Sequence, residues 1–210
     1  MVNASKNNIK VLTHKNGKPK TFYKITNKYE NHNQFQYKTG LNILKQKFEP
    51  NLDCGPGGLY FAEKIDILDW CNLGENIREV QIPVTAKLCK LSKKYKADRI
   101  ILLDKYPLYS LKTFRKLFGR CVEKTVFTMK NYFLRYLKLT RDSLEDQFKF
   151  FNKRSYMVDT IHPTHFYTYQ PELTKLLLKK NCFSKKSLID AYNSSGGVGE
   201  FHRFIQPYIK

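Results

Sequence analysis

The chain of 210 residues lacks the features that mark secreted, membrane-spanning and disulfide-stapled proteins. Its five cysteines are an odd number, are widely spaced and include no Cys-X-X-Cys pair, which favours a reducing compartment. No apolar run approaches the roughly 18 residues of a membrane span. Residues 1–20 are polar and basic and lack the apolar segment of a signal peptide. The sequence therefore predicts an intracellular protein without a membrane span.

Acidic residues are also scarce. Eighteen Asp and Glu stand against 38 Lys and Arg, which gives a formal net charge of +20. A positive field of this size concentrates polyanions at the surface, so nucleic acid, an anionic membrane or an acidic protein is the expected partner. The alternative is that an AT-rich genome supplies part of the lysine excess. With 41% hydrophobic residues the chain can still bury a core without disulfides.

The hydrophobic periodicity divides the chain into three parts: a basic N-terminal segment at 1–20, an α+β domain at 21–105 and a helical part at 106–210. In the domain, period-two alternation predicts a small mixed or antiparallel sheet. One helix is expected inside it, at 63–72, with Gly74 just past its end. Beyond Pro107 the apolar spacing is helical. The predicted strands are 22–26, 59–62, 77–82, 87–91 and 96–103, and residues 35–41 are expected to form a strand or a turn. The predicted helices are 111–118, 126–139, 143–151, 171–180 and 184–192, and a last short element is expected at 200–208.

A glycine-rich turn precedes the aromatic strand at Leu59–Ala62. Such a turn is either a ligand cradle or a bend that needs glycine for a positive φ. We expect at least one of Gly57 and Gly58 to have φ above zero. In the helical part, Ser143 is predicted to cap a helix with Asp146 at its third position.

The domain resembles an uncharacterised domain of giant DNA viruses of the mimivirus type, which often lies beside ankyrin repeats. The resemblance covers roughly residues 21–104 and implies a viral protein that works in the cytoplasm of the infected cell or in the virion. It implies no molecular function. The residues that carry it are Phe22–Thr26, Gly40–Asn42, Gly57–Phe61, Val80–Pro83 and Lys96–Leu102.

The same stretch is faintly similar to the ADP-ribosyltransferase fold. Leu59-Tyr-Phe-Ala62 resembles that family's second strand motif. The first strand offers Lys24 where the family has His or Arg, and Asp98 stands where the catalytic Glu is expected. The resemblance implies an alternative catalytic set of Lys24, Tyr60 and Asp98 with NAD as cofactor, and its departures favour an inactive relative. Because neighbours in a strand point to opposite faces, Asp98 and Arg99 are expected to diverge.

Basic residues dominate the segment from Lys112 to Arg141, where Glu123 is the one acid. Such residues can neutralise phosphates and give salt-dependent binding. Aromatic residues lie between them, and their helical spacing favours burial in the core over stacking on bases. A host-protein adaptor that binds through these helices is a further alternative. The predicted nucleic-acid-binding residues are Lys112, Arg115, Lys116, Arg120, Lys124, Lys130, Arg135, Lys138 and Arg141.

His162 and His165, with Cys182, offer three metal-binding side chains without a fourth ligand at recognisable spacing, so no metal site is predicted. The favoured function is that of a non-enzymatic basic viral protein that associates with nucleic acid or another polyanion, without a cofactor. An adaptor for a host or viral protein and an ADP-ribosyltransferase-like enzyme are the alternatives.

Overall fold

Strands and helices occupy different halves of the chain. The computed structural model describes residues 9–50, 55–119, 126–195 and 199–209. The chain divides into two compact units, Met1–Leu108 and Tyr109–Lys210. Every strand described lies in the first unit and every described α-helix in the second, so the predicted α+β class is confirmed.

Antiparallel pairing joins the strands of the first unit. One sheet has four strands in the order β1-β6-β9-β4, a second has three in the order β5-β8-β7, and β2 and β3 form a hairpin. The first two sheets are linked where Tyr23 and Ala62 exchange backbone hydrogen bonds of 2.9 Å. The strands are β1 Phe22–Thr26, β2 Asn31–His32, β3 Phe35–Gln36, β4 Gly40–Ile43, β5 Leu59–Phe61, β6 Asn76–Gln81, β7 Leu88–Lys90, β8 Tyr95–Ala97 and β9 Arg99–Pro107.

The predicted strand at 96–103 is two strands in two different sheets. It divides at Asp98, a bend between β8 and β9. Asp98 holds this corner with three hydrogen bonds. Its N–H donates to the Lys87 carbonyl at 3.1 Å, its Oδ1 accepts from the Lys87 N–H at 2.8 Å, and its carbonyl accepts from the Leu44 N–H at 2.7 Å. The charged pair Asp98 and Arg99 stands at the change of sheet, just before the apolar run at 100–103.

Three further predictions in this unit are corrected. The single strand or turn expected at 35–41 is the separate strands β3 and β4, and the helix expected at 63–72 is a 3₁₀ helix at Ile67–Leu73. Gly74 has extended backbone, with φ of 173°, and not the left-handed angles of a helix cap. A Cβ atom there would lie 2.1 Å from the Thr26 carbonyl oxygen. The close approach of β1 explains the glycine.

The N-terminal segment pairs with residues 82–84, directly after β6. Leu12 N–H donates to the Ile82 carbonyl at 2.8 Å, and Val84 N–H donates to the Lys10 carbonyl at 2.9 Å. Leu12 also packs against the core of the first unit. The buried members of that core come from both larger sheets and are Phe22, Tyr37, Leu59, Phe61, Val80, Ile82, Ala97, Ile100 and Leu102.

The glycine-rich turn contains one left-handed residue. Gly57 has φ of 85°, which confirms the prediction, and its carbonyl accepts from the Glu49 N–H at 2.9 Å. Gly58 has no positive φ and is needed for another reason. A Cβ atom on Gly58 would lie 2.1 Å from Cγ of Lys96. The missing side chain therefore makes room for a lysine.

Helices form the second unit. Ser143 caps α3 as predicted, because its Oγ accepts from the Asp146 N–H at 3.1 Å and donates to Asp146 Oδ2 at 2.8 Å. Two helices lie in the stretch that the sequence left unassigned, and Pro163 begins the second of them, where its fixed φ suits a first turn. The helices are α1 Leu111–Phe118, α2 Val126–Leu139, α3 Leu144–Asn152, α4 Ser155–Ile161, α5 Pro163–Tyr169, α6 Pro171–Lys179, α7 Lys185–Ser194 and α8 Glu200–Ile205, followed by a 3₁₀ turn at Gln206–Tyr208.

Aromatic rings fill the core of the second unit. The Phe114 ring on α1 lies 5.4 Å from Tyr132 and 5.2 Å from Phe133 on α2, and 5.7 Å from Phe150 on α3. These distances are typical of favourable ring pairs. The interleaved aromatics of the basic segment are buried, as their spacing predicted: Tyr109, Phe114, Phe118, Tyr132 and Tyr136.

Asp142 joins the ends of two elements in this unit. Its Oδ2 accepts from the Leu111 N–H at 2.7 Å and from the Tyr136 hydroxyl at 3.0 Å. The carboxylate thus accepts a hydrogen bond from one of the free N–H groups at the start of α1. Its negative charge also interacts favourably with the positive end of the helix dipole. It also gives the buried Tyr136 hydroxyl an acceptor.

Candidate functional site

A pocket of about 340 Å³ lies in the first unit, between β1, the end of β5 and the 3₁₀ helix. Its wall combines apolar side chains with lysines, and two of the three residues of the alternative catalytic set line it, Lys24 and Tyr60. The apolar part of the wall is made by Ile25, Phe61, Ala62, Ile67, Trp70 and Leu73.

Lys24 is a buried lysine at the pocket. Only 4% of the residue is exposed. Its Nζ donates to the Tyr60 carbonyl at 2.9 Å and lies 4.3 Å from the centre of the Tyr37 ring. Burial disfavours the ammonium and lowers the pKa of Lys24 from 10.5 to about 7. Burial, together with the charge of Lys24, also lowers the pKa of His32, which lines the same pocket.

Tyr60 is surrounded by amines. Its carbonyl accepts from Lys24, and its hydroxyl donates to the Gly55 carbonyl at 2.6 Å. The ammonium groups of Lys94 and Lys96 lie 5.2 and 5.3 Å from the centre of its ring. An ammonium this close to an aromatic face is attracted by the ring quadrupole. The aromatic ring therefore helps to hold two positive charges inside the unit.

Trp70 completes this part of the wall. Lys94, 9% exposed, places its Nζ 5.0 Å from the Trp70 ring centre, so the ammonium is close to both Trp70 and Tyr60. The indole Nε1 is buried and has no acceptor among the residues that the structure describes. Asp69 also lines the pocket, but its Oδ2 accepts from Lys93 Nζ at 2.7 Å. Among the described residues of the wall, the lysines outnumber the carboxylates.

Lys96 is fully buried beside the glycine-rich turn. Its side chain occupies the space that a Cβ on Gly58 would need, and its Nζ donates to the Glu49 carbonyl at 2.6 Å and towards the Pro56 carbonyl at 3.4 Å. Sequence reasoning missed Lys94, Lys96 and Trp70. No local sequence signal identifies them, because Tyr60 and Lys96 are brought together only by the pairing of β5 with β8.

Asp98 does not line the pocket. Its carboxylate accepts from the Lys87 N–H and forms an ion pair of 3.0 Å with Arg99 Nη2. The expected divergence of Asp98 and Arg99 is therefore not observed, because Asp98 lies at a bend and strand alternation does not apply there. Strand β5 is the hydrogen-bonded neighbour of β8 in one sheet, not the opposite wall of a slot. The structure brings Lys24 and Tyr60 together without Asp98.

The basic helical segment presents its charges to solvent. Lys112, Arg115 and Lys116 are exposed on α1, and Arg135 and Lys138 are exposed on α2. Arg141 is exposed just after α2, and Lys130 is half-buried. The described residues of 109–141 include no acid. The two remaining members of the predicted set, Arg120 and Lys124, lie outside the described residues.

The histidine pair does not form a metal centre. The rings of His162 and His165 have centroids 6.3 Å apart, and burial lowers the pKa of both. Cys182 Sγ contacts Asn152 Oδ1 at 3.1 Å. In the part of the chain that the structure describes, no group of three or more His, Cys, Asp or Glu side chains could hold a metal ion. Within the same residues no helix has the length and apolar character needed to cross a bilayer.

Comparison with known proteins identifies the chain as a giant-virus protein. It is 44% identical over 102 residues to the uncharacterised protein R869 of Acanthamoeba polyphaga mimivirus, a match that covers 46% of this chain and 74% of R869. The chain belongs to the family of R869. This result confirms the resemblance to a mimivirus-type domain.

Other relatives from the same virus are named as ankyrin repeat proteins. The chain is 37% identical over 101 residues to R896 and 37% identical over 108 residues to R868. These matches cover 45% and 48% of this chain, but only 30% and 54% of the relatives. The matched length is close to that of one compact unit, and it recurs in proteins of different lengths.

Two comparisons returned nothing. No family model matches the chain. No solved structure matches it with significance. The similarity to the ADP-ribosyltransferase fold therefore stays a prediction.

Proposed function

We propose that this viral protein is a non-enzymatic binder of nucleic acid or another polyanion, and that it works in the infected cell or in the virion. The binding surface is the basic helix pair, which we define as the exposed side chains of Lys112, Arg115 and Lys116 on α1 and Arg135 and Lys138 on α2. The observation that carries the proposal is the exposure of these cations on helices without a described acidic residue.

Charged and apolar residues lie on opposite sides of α1. Positions 112, 115 and 116 share one side of α1, because residues three and four apart are neighbours on a helix surface. Leu111, Phe114 and Leu117 occupy the opposite, buried side. On α6, by contrast, Lys175 is paired with Glu172 at 2.6 Å. Within the described residues no ion pair involves Lys112, Arg115, Arg135 or Lys138, so no acid neutralises their charges. The Arg115 guanidinium lies 5.7 Å from the centre of the Phe150 ring.

Counterion release is the driving force in this proposal. Each phosphate that a lysine or arginine neutralises frees condensed cations, so affinity falls steeply as salt rises. Because the aromatics between the cations are buried, they cannot stack on unpaired bases. We therefore expect little sequence preference and no marked preference for single strands.

The test is fluorescence anisotropy with labelled duplex DNA, duplex RNA and heparin. We expect micromolar affinity at about 50 mM salt, falling about a thousandfold by 200 mM if six phosphates are contacted. Heparin bound as well as nucleic acid at equal charge density would identify a general polyanion binder. The absence of binding to all three at 50 mM salt would contradict the proposal.

A matched pair of variants locates the surface. The triple change K112E/R115E/K116E should weaken duplex binding at least about tenfold and lower the salt slope by about one for each phosphate that is no longer neutralised. The control K179E/K180E/K186E makes the same charge change at exposed positions of the same unit. Equal weakening in the two variants would show that net charge, and not the basic helix pair, attracts the ligand. Circular dichroism checks that both variants are folded.

A protein partner is the second candidate function, favoured by the relatives that are named as ankyrin repeat proteins. Leu139 and Leu144, at 44% and 40% exposure, flank the basic Arg141 between α2 and α3. An acidic protein with an apolar patch would suit this surface. Such a complex should persist at a salt concentration that releases nucleic acid. It should be lost in L139E/L144E, a variant that should keep its affinity for DNA.

A further inference from the structure

We propose that the pocket of the first unit binds a compact organic anion, with its carboxylate or phosphate group at Lys24 and Lys94 and its flat apolar body against Trp70 and Phe61. This lysine pocket lies entirely within the first unit and is independent of the basic helix pair. The chemistry of its wall, the partners of Lys24 and its size all favour such a ligand.

Cations outnumber acids in the wall of the pocket. Lys24 and Lys94 both line it and both are at least nine-tenths buried. The carboxylate of Asp69 is already bound to Lys93. Burying positive charge is costly unless negative charge accompanies it, so the buried Lys24, whose described contacts are the Tyr60 carbonyl and the Tyr37 ring, favours a ligand that brings the negative charge.

Lys24 has donors to spare. An ammonium has three N–H donors, and the described residues supply one acceptor, the Tyr60 carbonyl. The face of Tyr37 gives a second, weaker contact. With a pKa of about 7, Lys24 is protonated in only about half of the molecules at neutral pH. An anion at Nζ favours the protonated form and raises this pKa, so the ligand and a proton bind together.

The remainder of the wall selects a flat ligand of modest size. A volume of about 340 Å³ is near the lower end for small-molecule sites, and such sites are mostly apolar with a few placed polar groups. Trp70, Phe61 and Leu73 provide the apolar part. A single aromatic ring with one anionic substituent matches both requirements.

Trp70 makes the test direct, because it is the one tryptophan of the chain and it lines the pocket. Its fluorescence is titrated with benzoate and phenyl phosphate, which separate carboxylate from phosphate recognition, and with benzamide, a neutral molecule of benzoate's size. For ligands of about ten atoms we expect dissociation constants of about 0.1–1 mM for the preferred anion. Benzamide should bind at least tenfold more weakly.

Two lysine variants test whether Lys24 and Lys94 bind the anionic group. Lys24→Met should weaken binding of the preferred anion at least tenfold, whereas Lys64→Met, at an exposed position of the same unit, should leave it unchanged. Lys94→Met is the second test should Lys24→Met fail to fold, and it should also weaken binding at least tenfold. The Trp70 emission spectrum and the melting temperature of the ligand-free protein establish that each variant is folded.

The pH dependence provides an independent readout with benzoate, whose charge is constant above pH 6. Affinity should be greatest at pH 6 and fall above pH 7, approaching tenfold per pH unit, as Lys24 loses its proton. Lys24→Met should show no such fall. The other titratable and charged groups around Lys24 are Arg78 opposite it on β6, His32, Tyr37, Tyr60, Asp69 and Lys94.

Three results would overturn the proposal. Benzamide could bind as tightly as both anions, Lys24→Met and Lys94→Met could keep full affinity, or neither anion could bind up to 10 mM, checked by calorimetry as well as fluorescence. Loss of DNA binding by the basic helix pair would not affect it, because the pocket and that surface belong to different units.

Discussion

Replacing Lys24 with methionine should stabilise the protein at neutral pH, although the change removes a hydrogen bond. The folded state lowers the pKa of Lys24 from 10.5 to about 7, because burial disfavours the ammonium. At about 1.36 kcal/mol per pKa unit, this fall corresponds to a cost of about 5 kcal/mol for keeping the lysine charged in the folded chain. Methionine has a similar length and carries no charge.

The direction in which stability changes with pH follows from the number of protons that the folded and unfolded states bind. Between pH 7 and 10.5 the unfolded chain keeps the Lys24 proton while the folded chain releases it, so the stability of the natural protein rises with pH across this window. Below pH 7 Lys24 is protonated in both states, so the full cost of burying its charge applies and no longer changes with pH. The slope should be about 1 kcal/mol per pH unit from pH 7.5 to 9.5.

Two contacts offset part of the gain in the variant. The hydrogen bond to the Tyr60 carbonyl contributes about 1 kcal/mol and the contact with the Tyr37 ring about another 1 kcal/mol. At pH 7 about half of the folded molecules have released the Lys24 proton, which reduces the cost to about 4 kcal/mol, so we expect Lys24→Met to be about 2 kcal/mol more stable than the natural protein at this pH. The difference should shrink to about zero by pH 9.5, because there the natural protein folds with a neutral lysine.

Urea unfolding followed by Trp70 fluorescence measures this difference in the first unit, at several values between pH 7 and 9.5. Lys64→Met, at an exposed site, should run parallel to the natural protein throughout. Two results would refute this expectation: the stability of Lys24→Met could change with pH in parallel with that of the natural protein, or the variant could be the less stable protein at pH 7.

Two further predictions concern packing in the two units. Gly58→Val should destabilise the first unit by about 2 kcal/mol, because its Cβ would overlap the buried Lys96 side chain. The control Gly17→Ala, in open space with a positive φ, should cost about 1 kcal/mol. Equal urea midpoints for the two variants would contradict this account. Asp142→Ala should destabilise the second unit by about 2–3 kcal/mol, because the Leu111 N–H and the buried Tyr136 hydroxyl both lose their acceptor. Thermal unfolding monitored by circular dichroism checks the second value against Glu145→Ala, an exposed change expected within about 0.5 kcal/mol, and similar melting of the two variants would refute it.

Features that depend on a few neighbouring residues were predictable from the sequence. The helical spacing of Phe114, Tyr132 and Tyr136 predicted buried aromatics, because the 3.6-residue period shows which side of a helix avoids water. The cap at Ser143 and the positive φ of Gly57 follow in the same way from local backbone chemistry. The same helical period predicts that the lysines and arginines of α1 and α2 are exposed to solvent.

Features that depend on residues distant along the chain were decided by the tertiary structure. The bend at Asp98, where the chain passes from one sheet to another, lies inside the stretch 96–103 that the sequence predicts as one strand. The lysine pocket joins Lys24, Tyr60 and Lys94, and Lys24 and Tyr60 are 36 positions apart. A lysine in a sequence is expected at the surface, since its charge prefers water. Only the packed sheets supply the carbonyl groups and aromatic faces that make burial of these lysines tolerable, and no local pattern records which of those groups will meet.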